Sequence, residues 1–571
     1  MFNTKKYFSS GFYINSFFVV ILLIFWLWLW SNCANPFNTT CFAGSGEGDH
    51  LQHYFAWQAF ASNKSIQFLR PSFSNWTWPF EVPLIYGDPI PLLAIIAKPL
   101  QLLLGKPIQY FSIASLINIL TSYAIGNWIG KILYLRRYES CILGFCLSIS
   151  GLSILRVTGH EALSIQAILL LALAFAVKRE ASGVKWGVLM FVSLGIHAYF
   201  LPMIAPIGIY TIIFSHSEKN HRAAKKVLSQ VSPVITISLW VLIGMIFWGY
   251  FPSNVEASAG GLFWNANLLA LIDSQGLSTL VPGLEINRPY QWEGYSYLGI
   301  GWGLVISLSL ASVLVEVLFK AKIFKIDNTI SAFPIPKLYT LLMGLFFLFA
   351  IGEPIFLGTS KITDFNPLIK ILGPIASIFR STGRFMWPLV YSLSIWSFCR
   401  IMRLRWRSSV VKHLYIVVLI IFLLESNLVV AKAVNGIFSE RITSANSFGK
   451  PSLHPRLISE IRDANFFINA TGDPWISVEQ IPKFSLQNIK AEIKTNYNPY
   501  LARSPKLFSE FYRKNPCLVI EETKAKALSE TGIDNSILYL IRKADLKSCV
   551  ISTDKIVAEY QDDNLLIVKN P

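Results

Sequence analysis

The feature that most constrains this chain is a series of long apolar runs, several of which end in clusters of Lys and Arg. About 20 consecutive apolar residues are enough to cross a lipid bilayer as a helix. Of the 571 residues, 53% are hydrophobic and only 15% are charged, which is not the composition of a soluble globular chain. We therefore expect a mainly α, polytopic helical membrane protein with about eleven transmembrane helices.

Short polar segments separate the predicted spans. The spans cover residues 12–30, 110–132, 141–155, 162–177, 186–199, 200–214, 231–250, 298–319, 337–356, 385–398 and 414–430. The apolar stretch 91–104 is too short to span, and Lys98 and Pro99 interrupt it, so we predict a juxtamembrane helix along the membrane surface. With this assignment every dense cluster of Lys and Arg falls on one side, as the positive-inside rule requires.

The distribution of charge also sets the orientation. The formal net charge is +17, but the positive residues lie between spans, which is typical of cytoplasmic loops and does not indicate nucleic acid. The first apolar run is long, rich in Trp and lacks a small-residue cleavage site, so we predict an uncleaved helix with a cytoplasmic N-terminus. A large first loop, residues 33–91, then lies outside.

From residue 431 onwards the hydrophobic runs shorten and charges are interspersed. We predict a transmembrane domain over 1–430 and a soluble extracytoplasmic α/β domain over 431–571, which has a usual size for a domain. Cys33 with Cys41, and Cys517 with Cys549, could form disulfides in an oxidising compartment or remain free thiols. The cysteines show no CxxC spacing that would indicate a metal site.

Unusual ionisable residues are concentrated in the predicted outer segments. They are Asp49, His50, His53 and Asp88 in the first loop, Arg156 and His160 at a helix end, Glu293 in a long loop, and Arg380 and Arg384 in a later loop. The planar guanidinium of Arg pairs bidentately with phosphate oxygens. A carboxylate can take the proton of an acceptor hydroxyl as a glycosidic bond breaks. Carboxylates and arginines at a membrane surface therefore suit sugar transfer from a lipid phosphate.

Structural roles are also open for these residues. Asp49 could cap a helix, Asp88 could be a turn residue before Pro89, and Arg156 could snorkel from a helix end. His160 with Glu161 could cap a helix, and Glu293 could order its loop. Arg380 and Arg384 could bind lipid headgroups nonspecifically.

Six segments carry a resemblance to a known class. They are Gly48-Asp-His-Leu-Gln-His53, Gly87-Asp-Pro-Ile-Pro-Leu92, Arg156-Val-Thr-Gly-His-Glu161, Asn267-Leu-Leu-Ala-Leu-Ile272, Glu293-Gly-Tyr-Ser-Tyr-Leu-Gly299 and Phe379-Arg-Ser-Thr-Gly-Arg-Phe385. Taken in this order along the chain, the six segments resemble those of polytopic glycosyltransferases of the GT-C class. They resemble more closely an uncharacterised bacterial GT-C-like membrane family. The resemblance covers about residues 12–400 and implies a polyprenyl-phosphate-linked sugar as donor and a catalytic acid in the first outer loop.

On this basis the predicted function is an inverting glycosyltransferase at the outer face of a bacterial inner membrane. It would move a sugar from the lipid donor to a glycan, lipid or protein acceptor of the cell envelope. Asp49 would be the general base or a ligand of a divalent cation such as Mg²⁺ or Mn²⁺, with Asp88 as its partner. The two other hypotheses are a non-enzymatic transporter or flippase of lipid-linked glycans, and a membrane scaffold for envelope assembly.

Overall fold

A computed structural model gives the fold, and the prediction of a mainly α protein is confirmed. The structure describes residues 4–43, 49–63, 65–73, 81–217, 223–251, 264–284, 291–319, 337–373, 379, 381–403, 409–447, 466–469, 494–495, 516–531, 537–542, 549, 556–560 and 565–569. The helices up to residue 447 are α1 Thr4–Trp30, α2 Thr40–Ala43, α3 Asp49–Ser62, α4 Pro91–Leu104, α5 Phe111–Ile132, α6 Arg137–Ser148, α7 Gly151–Ile154, α8 Glu161–Ser164, α9 Ala167–Lys178, α10 Gly183–Ile196, α11 Phe200–Ser217, α12 Ala223–Trp248, α13 Gly299–Phe319, α14 Lys337–Ala350, α15 Pro367–Ile371, α16 Trp387–Arg403 and α17 Ser409–Ser447.

Each predicted span overlaps a helix, and the predicted juxtamembrane helix has the bounds of α4. Four regions of the described chain are long and apolar enough to cross a membrane by length and composition. They are Tyr13–Ala34, Arg137–Thr158, Glu161–Lys178 and Val231–Trp248. Shorter apolar helices lie at α4 and at α10, and at 200–215, 299–315, 339–350 and 412–421.

Two predicted spans are interrupted rather than continuous. α6 ends at Ser148, and the short helix α7 and a 3-10 turn, Leu155–Thr158, follow it. The next region begins with the short helix α8 and continues as α9. Where the backbone leaves the helix inside an apolar protein, its amide and carbonyl groups need other hydrogen-bond partners. Interrupted helices of this kind therefore indicate that polar side chains lie nearby.

The span predicted over 337–356 also ends early. α14 stops at Ala350, and an antiparallel hairpin of β3 (Ile355–Leu357) and β4 (Ser360–Thr363) follows. A second small hairpin, β1 (Ser72–Phe73) with β2 (Val82–Pro83), lies in the first loop.

The basic residues predicted to be cytoplasmic meet at one end of the helices. Lys412 Nζ lies 2.5 Å from Glu139 Oε1, and Arg403 donates to the carbonyl of Leu133. α16 is 17 residues long, which places Arg403 about 25 Å from the residue that begins this helix. Arg384, which lies just before this helix, is therefore at the other end of α16.

The last apolar helix is longer than its predicted span. α17 has 39 residues and continues to Ser447, so the predicted domain boundary at 430/431 lies inside a helix. After it, the helix α18 (Pro516–Thr531) and the strands β5 Phe466–Asn469, β6 Lys494–Thr495, β7 Ile537–Arg542, β8 Ile556–Tyr560 and β9 Leu565–Lys569 are described.

These strands form a mixed five-stranded sheet in the order β6-β5-β7-β9-β8. β5 pairs in parallel with β6 and β7, whereas β9 is antiparallel to β7 and β8. Much of 431–571 lies outside the described residues, so an independent α/β domain there stays a prediction. Both cysteine pairs left open by the sequence, Cys33 with Cys41 and Cys517 with Cys549, are joined as disulfides.

Candidate functional site

The segment between α7 and α9 presents three ionisable side chains of the site: Arg156, His160 and Glu161. Polar side chains satisfy the backbone where the helix is interrupted. Asn118 Oδ1 accepts from the amide of Ala167 at 2.9 Å, and Ser153 Oγ donates to the carbonyl of Ser164 at 2.7 Å. These contacts hold the non-helical backbone in one place.

Glu293 lies in a 3-10 turn, Gln291–Gly294, that packs against another turn, Thr382–Met386. The two chains approach at glycines: a Cβ added to Gly383 would lie 2.6 Å from Cα of Gly294. A side chain at Gly383 would therefore separate the turns. The Glu-Gly and Thr-Gly-Arg sequences therefore explain how Glu293 and Arg384 come into contact from distant parts of the chain.

Glu293 is the centre of a buried ion-pair cluster. Its Oε2 lies 2.9 Å from Arg156 Nη1 and accepts from Arg384 Nε at 2.9 Å. Arg384 Nη2 also lies 2.9 Å from Oε2, and Arg156 Nη2 donates to the Glu293 carbonyl at 2.8 Å. His160 Nε2 lies 3.0 Å from Oε1. The cluster contains two guanidinium groups and one carboxylate.

The surrounding charges keep Glu293 ionised. Burial alone would raise the pKa of its carboxyl, but Arg156, Arg384 and His160 outweigh burial and hold that pKa well below its usual value. Burial alone would lower the pKa of Arg384. The Glu293 carboxylate outweighs burial and raises that pKa above its usual value. The guanidinium of Arg384 also lies 4.9 Å from the ring centroid of Tyr199, a cation–π distance.

Asp49 joins this cluster through His160. Asp49 is the first residue of α3, and its Oδ2 lies 3.1 Å from His160 Nδ1. Both ring nitrogens of His160 therefore face carboxylate oxygens. The Asp49 side chain is 48% exposed, whereas that of Glu293 is 5% exposed. Asp49 is thus the carboxylate of this cluster that substrate can reach.

The other predicted histidines lie beneath Asp49. His53 Nδ1 is in close contact with Glu161 Oε2. Burial would lower the pKa of His53, but the Glu161 carboxylate outweighs burial, and Asp88 and Asp49 add to the rise. His50 is buried, and burial, Arg441 and His53 hold its pKa well below the usual value. The pKa values of two histidines one helical turn apart are therefore shifted in opposite directions.

Asp88 lies on another side of the site. It follows a 3-10 turn, Leu84–Gly87, with a left-handed φ of 54°, a conformation that Asp tolerates better than most residues. Its Oδ1 lies 3.7 Å from His197 Nε2. The turn role left open by the sequence is compatible with this geometry, and a catalytic partnership with Asp49 stays a prediction.

The described part of the chain has no group of three or more His, Cys, Asp or Glu side chains that could hold a metal ion. Asp49 offers one carboxylate, and its Oδ2 contacts the ring of His160. Arg380 lies outside the described residues.

The structure also brings to the site some residues that were not predicted from the sequence. Glu161 was considered only as a cap, although it follows His160 directly. Ser381 donates its amide to the Tyr199 hydroxyl at 2.7 Å, and its Oγ lies 3.4 Å from Glu293 Oε2. Arg441 was missed because it belongs to a segment assigned to the C-terminal domain. Ser381 and Glu161 each follow a predicted site residue in the sequence, and this position could have identified them. No sequence pattern pointed to Arg441.

Comparison with protein families gives one match. The model of a family described as a domain of unknown function, DUF6311, matches residues 18–424. The chain belongs to the DUF6311 family. No curated protein matches it.

The DUF6311 match contains the whole cluster around Glu293, together with Asp49, His53 and Glu161. Arg441 lies beyond the matched residues, in the part of α17 that continues past the predicted last span. The family description assigns no activity.

Proposed function

We propose that this protein is a membrane glycosyltransferase of the GT-C type, which moves a sugar from a polyprenyl-phosphate-linked donor to an acceptor of the cell envelope. The observation that carries the proposal is the half-exposed Asp49 carboxylate, which His160 joins to a buried cluster that contains two arginines. Transfer from a lipid phosphate requires a base and, beside it, positive charge that stabilises the leaving phosphate.

The charge of the cluster suits an anionic donor. Arg156 and Arg384 contribute two positive charges and Glu293 one negative charge, so these three residues carry a net charge of +1. The hydrogen bonds to Glu293 engage two nitrogen atoms of each guanidinium. Fixed positive charge in a buried site stabilises the charge that develops on a leaving phosphate.

In the proposed reaction, Asp49 accepts the proton of the acceptor hydroxyl. The hydroxyl oxygen attacks the anomeric carbon of the donor sugar, the bond from that carbon to the phosphate oxygen breaks, and the lipid phosphate leaves with both electrons of the bond. One displacement inverts the anomeric configuration. His160 orients the Asp49 carboxylate, and Arg156 and Arg384 stabilise the phosphate. No step passes through a metal ion, and a divalent cation at Asp49 stays a prediction.

The proposed topology has about eleven spans in a bacterial inner membrane, with a cytoplasmic N-terminus and an outer C-terminal domain. Two observations support it. The basic residues Arg403 and Lys412 meet at one end of α16, and the Glu293 cluster lies at the other. The disulfides Cys33–Cys41 and Cys517–Cys549 belong to segments predicted to face outward, and disulfides persist in oxidising compartments.

Mass spectrometry of lipid-linked sugars and envelope glycans tests the proposal. Cells that lack the protein should lose one glycan modification and accumulate its lipid-linked donor. Wild-type protein should restore the modification, Asp49→Asn should not, and the control Asp364→Asn should. Asp364 is a suitable control because it is an outer-loop carboxylate, 69% exposed, paired only with a nearby lysine in the described structure. An unchanged glycan profile, or full restoration by Asp49→Asn, would contradict the proposal.

A further inference from the structure

The C-terminal half of α17 holds both ends of the interrupted segment that carries Arg156. Asn427 Oδ1 accepts from the amide of Gly151 at 3.0 Å, and Arg441 Nη2 donates to the carbonyl of Thr158. Gly151 begins α7, and Thr158 ends the 3-10 turn that follows it. The spacing of Asn427 and Arg441 is close to four full turns of an α-helix, so both side chains lie on one face of α17. One face of α17 therefore contacts this segment at its start and at its end.

The position of Thr158 affects the site because the residues on either side of it bind Glu293. Arg156, which precedes Thr158, contacts Glu293 Oε2 at 2.9 Å. His160, which follows it, has Nε2 at 3.0 Å from Glu293 Oε1 and Nδ1 at 3.1 Å from Asp49 Oδ2. A shift of the backbone at Thr158 would therefore move the ring that joins Asp49 to the buried cluster.

Packing gives little support to the backbone between Thr158 and His160. Gly159 joins these residues, and among the described residues a Cβ added to Gly159 would meet no heavy atom within 4 Å beyond its chain neighbours. The amide of His160 donates to the carbonyl of Arg156 at 2.9 Å, but this bond lies within the turn and does not connect it to another element. The hydrogen bond from Arg441 connects the turn to a separate helix, directly beside its unpacked residue.

Stability alone does not explain an arginine at this position. Arg441 is 7% exposed, and its Nη1 is buried without a hydrogen-bond partner among the residues that the structure describes. Burial lowers the pKa of Arg441 to about 10, which leaves the guanidinium charged at neutral pH. Burial of a charged group whose hydrogen bonding is incomplete destabilises a folded protein. The contact with Thr158 therefore has a use other than stability.

We propose that Arg441 is a positioning residue, which fixes the backbone of Thr158 and thereby the ring of His160 against the Asp49 carboxylate. Asn427 fixes the other end of the same segment. The role of Asp49 as the base rests on the proposed function. Asn427 and Arg441 both lie beyond residue 424, where the family match ends, so the chain that follows the match completes the site.

Steady-state sugar transfer by the purified full-length protein tests this role. Arg441→Met should lower the turnover number about tenfold to 100-fold, because misplacement of a catalytic group by about 1 Å can reduce the rate about 100-fold. The KM for the lipid-linked donor should change little, since two hydrogen bonds hold Arg156 to Glu293. Arg441→Lys keeps a charged donor for the Thr158 carbonyl and should turn over faster than Arg441→Met.

Amide hydrogen exchange of the peptide 156–161 measures the positioning without any enzyme activity. Exchange at Gly159 and His160 should be faster in Arg441→Met than in the wild type. Arg403→Met is the matched control, because Arg403 also donates to a backbone carbonyl but lies at the other end of α16. It should leave both the exchange and the turnover number unchanged, and thermal unfolding checks that each variant is folded.

Asn427→Leu removes the contact at the other end of the segment and should also lower the turnover number, so the proposal stays testable if Arg441→Met does not fold. Wild-type turnover and exchange in folded Arg441→Met would overturn the proposal. An equal loss of turnover in Arg403→Met would overturn it too, because the effect would then be general destabilisation. A raised donor KM with an unchanged turnover number would show instead that Arg441 binds the substrate directly.

The positioning role and the proposed function can fail separately. If Asp49→Asn abolishes sugar transfer while folded Arg441→Met is fully active, the positioning role is wrong and the transferase stands. If Arg441→Met speeds exchange at 156–161 but the wild-type protein transfers no sugar, Arg441 holds the segment and the transferase is wrong.

Discussion

Asp49 and Arg384 lie on opposite edges of one imidazole ring: Asp49 Oδ2 is 3.1 Å from Nδ1 of His160, and Arg384 Nη2 is 3.2 Å from Nε2 of the same ring. The acid of the first loop and an arginine of a much later loop therefore share a single connecting side chain. This connection places a reachable carboxylate next to buried positive charge.

Replacing Glu293 by Gln should destabilise the protein strongly. The substitution keeps the shape but leaves the guanidinium groups of Arg156 and Arg384 buried without a counter-charge, and breaking a buried pair in this way costs about 3–5 kcal/mol. Thermal unfolding of the purified protein in detergent measures the effect. Glu353→Gln is the control, because Glu353 lies 3.9 Å from the exposed Lys370 and a pair of this kind contributes about 1 kcal/mol or less. Equal effects of the two substitutions would contradict the central position of Glu293.

Replacing His160 by Gln should lower the turnover number without a comparable loss of donor affinity. His160 orients the Asp49 carboxylate, and misplacement of a catalytic group by about 1 Å can reduce the rate about 100-fold. Turnover number and KM for the lipid-linked donor should be measured across a pH series, since a positioning role also alters the pH profile. The control is His413→Gln, whose ring stacks on Tyr138 near the basic end of the helices. An unchanged turnover number would remove His160 from the site.

The His53–Glu161 pair should stabilise the protein in a pH-dependent way. The pKa of His53 is raised in the folded protein, so its contribution is complete below the unfolded value of about 6.5 and is lost as the pH rises through the higher folded value. The stability difference between the wild type and Glu161→Gln should therefore shrink as the pH rises above about 6.5. Asp364→Asn should show no such trend. A difference that grows with pH would contradict the assigned protonation of His53.

The two ends of the helices should react from opposite sides of the membrane. Ser65 is an exposed residue in the first loop, and Tyr134, 73% exposed, follows α5 near the basic end. In intact cells a membrane-impermeant maleimide should label Ser65→Cys. It should label Tyr134→Cys only after permeabilisation. The native cysteines Cys141, Cys146 and Cys399 are buried free thiols and should give little background. The reverse labelling pattern would place the site on the cytoplasmic side.

The sequence was sufficient for the helices and for much of the site, because both follow from local patterns. Apolar runs fix the positions of the helices, and α4 matches its predicted bounds. Breaks inside a run, as between α6 and α9, depend on partners such as Asn118 that are distant in the chain.

The role of Glu293 could not be predicted for the same reason, since the Gly294–Gly383 contact that brings it to Arg384 joins two distant turns. Arg441 was hidden by the assumption that the last apolar helix ends where its hydrophobicity falls.

The most direct test of the account is the rate of sugar transfer by purified protein in which Asp49 is replaced by Asn. The matched control is Asp364→Asn, and thermal unfolding confirms that both variants are folded. Loss of a general base lowers the turnover number by about 100-fold to 10,000-fold, and we predict a loss in this range for Asp49→Asn with donor KM nearly unchanged and Asp364→Asn fully active. Wild-type turnover by folded Asp49→Asn would contradict the account.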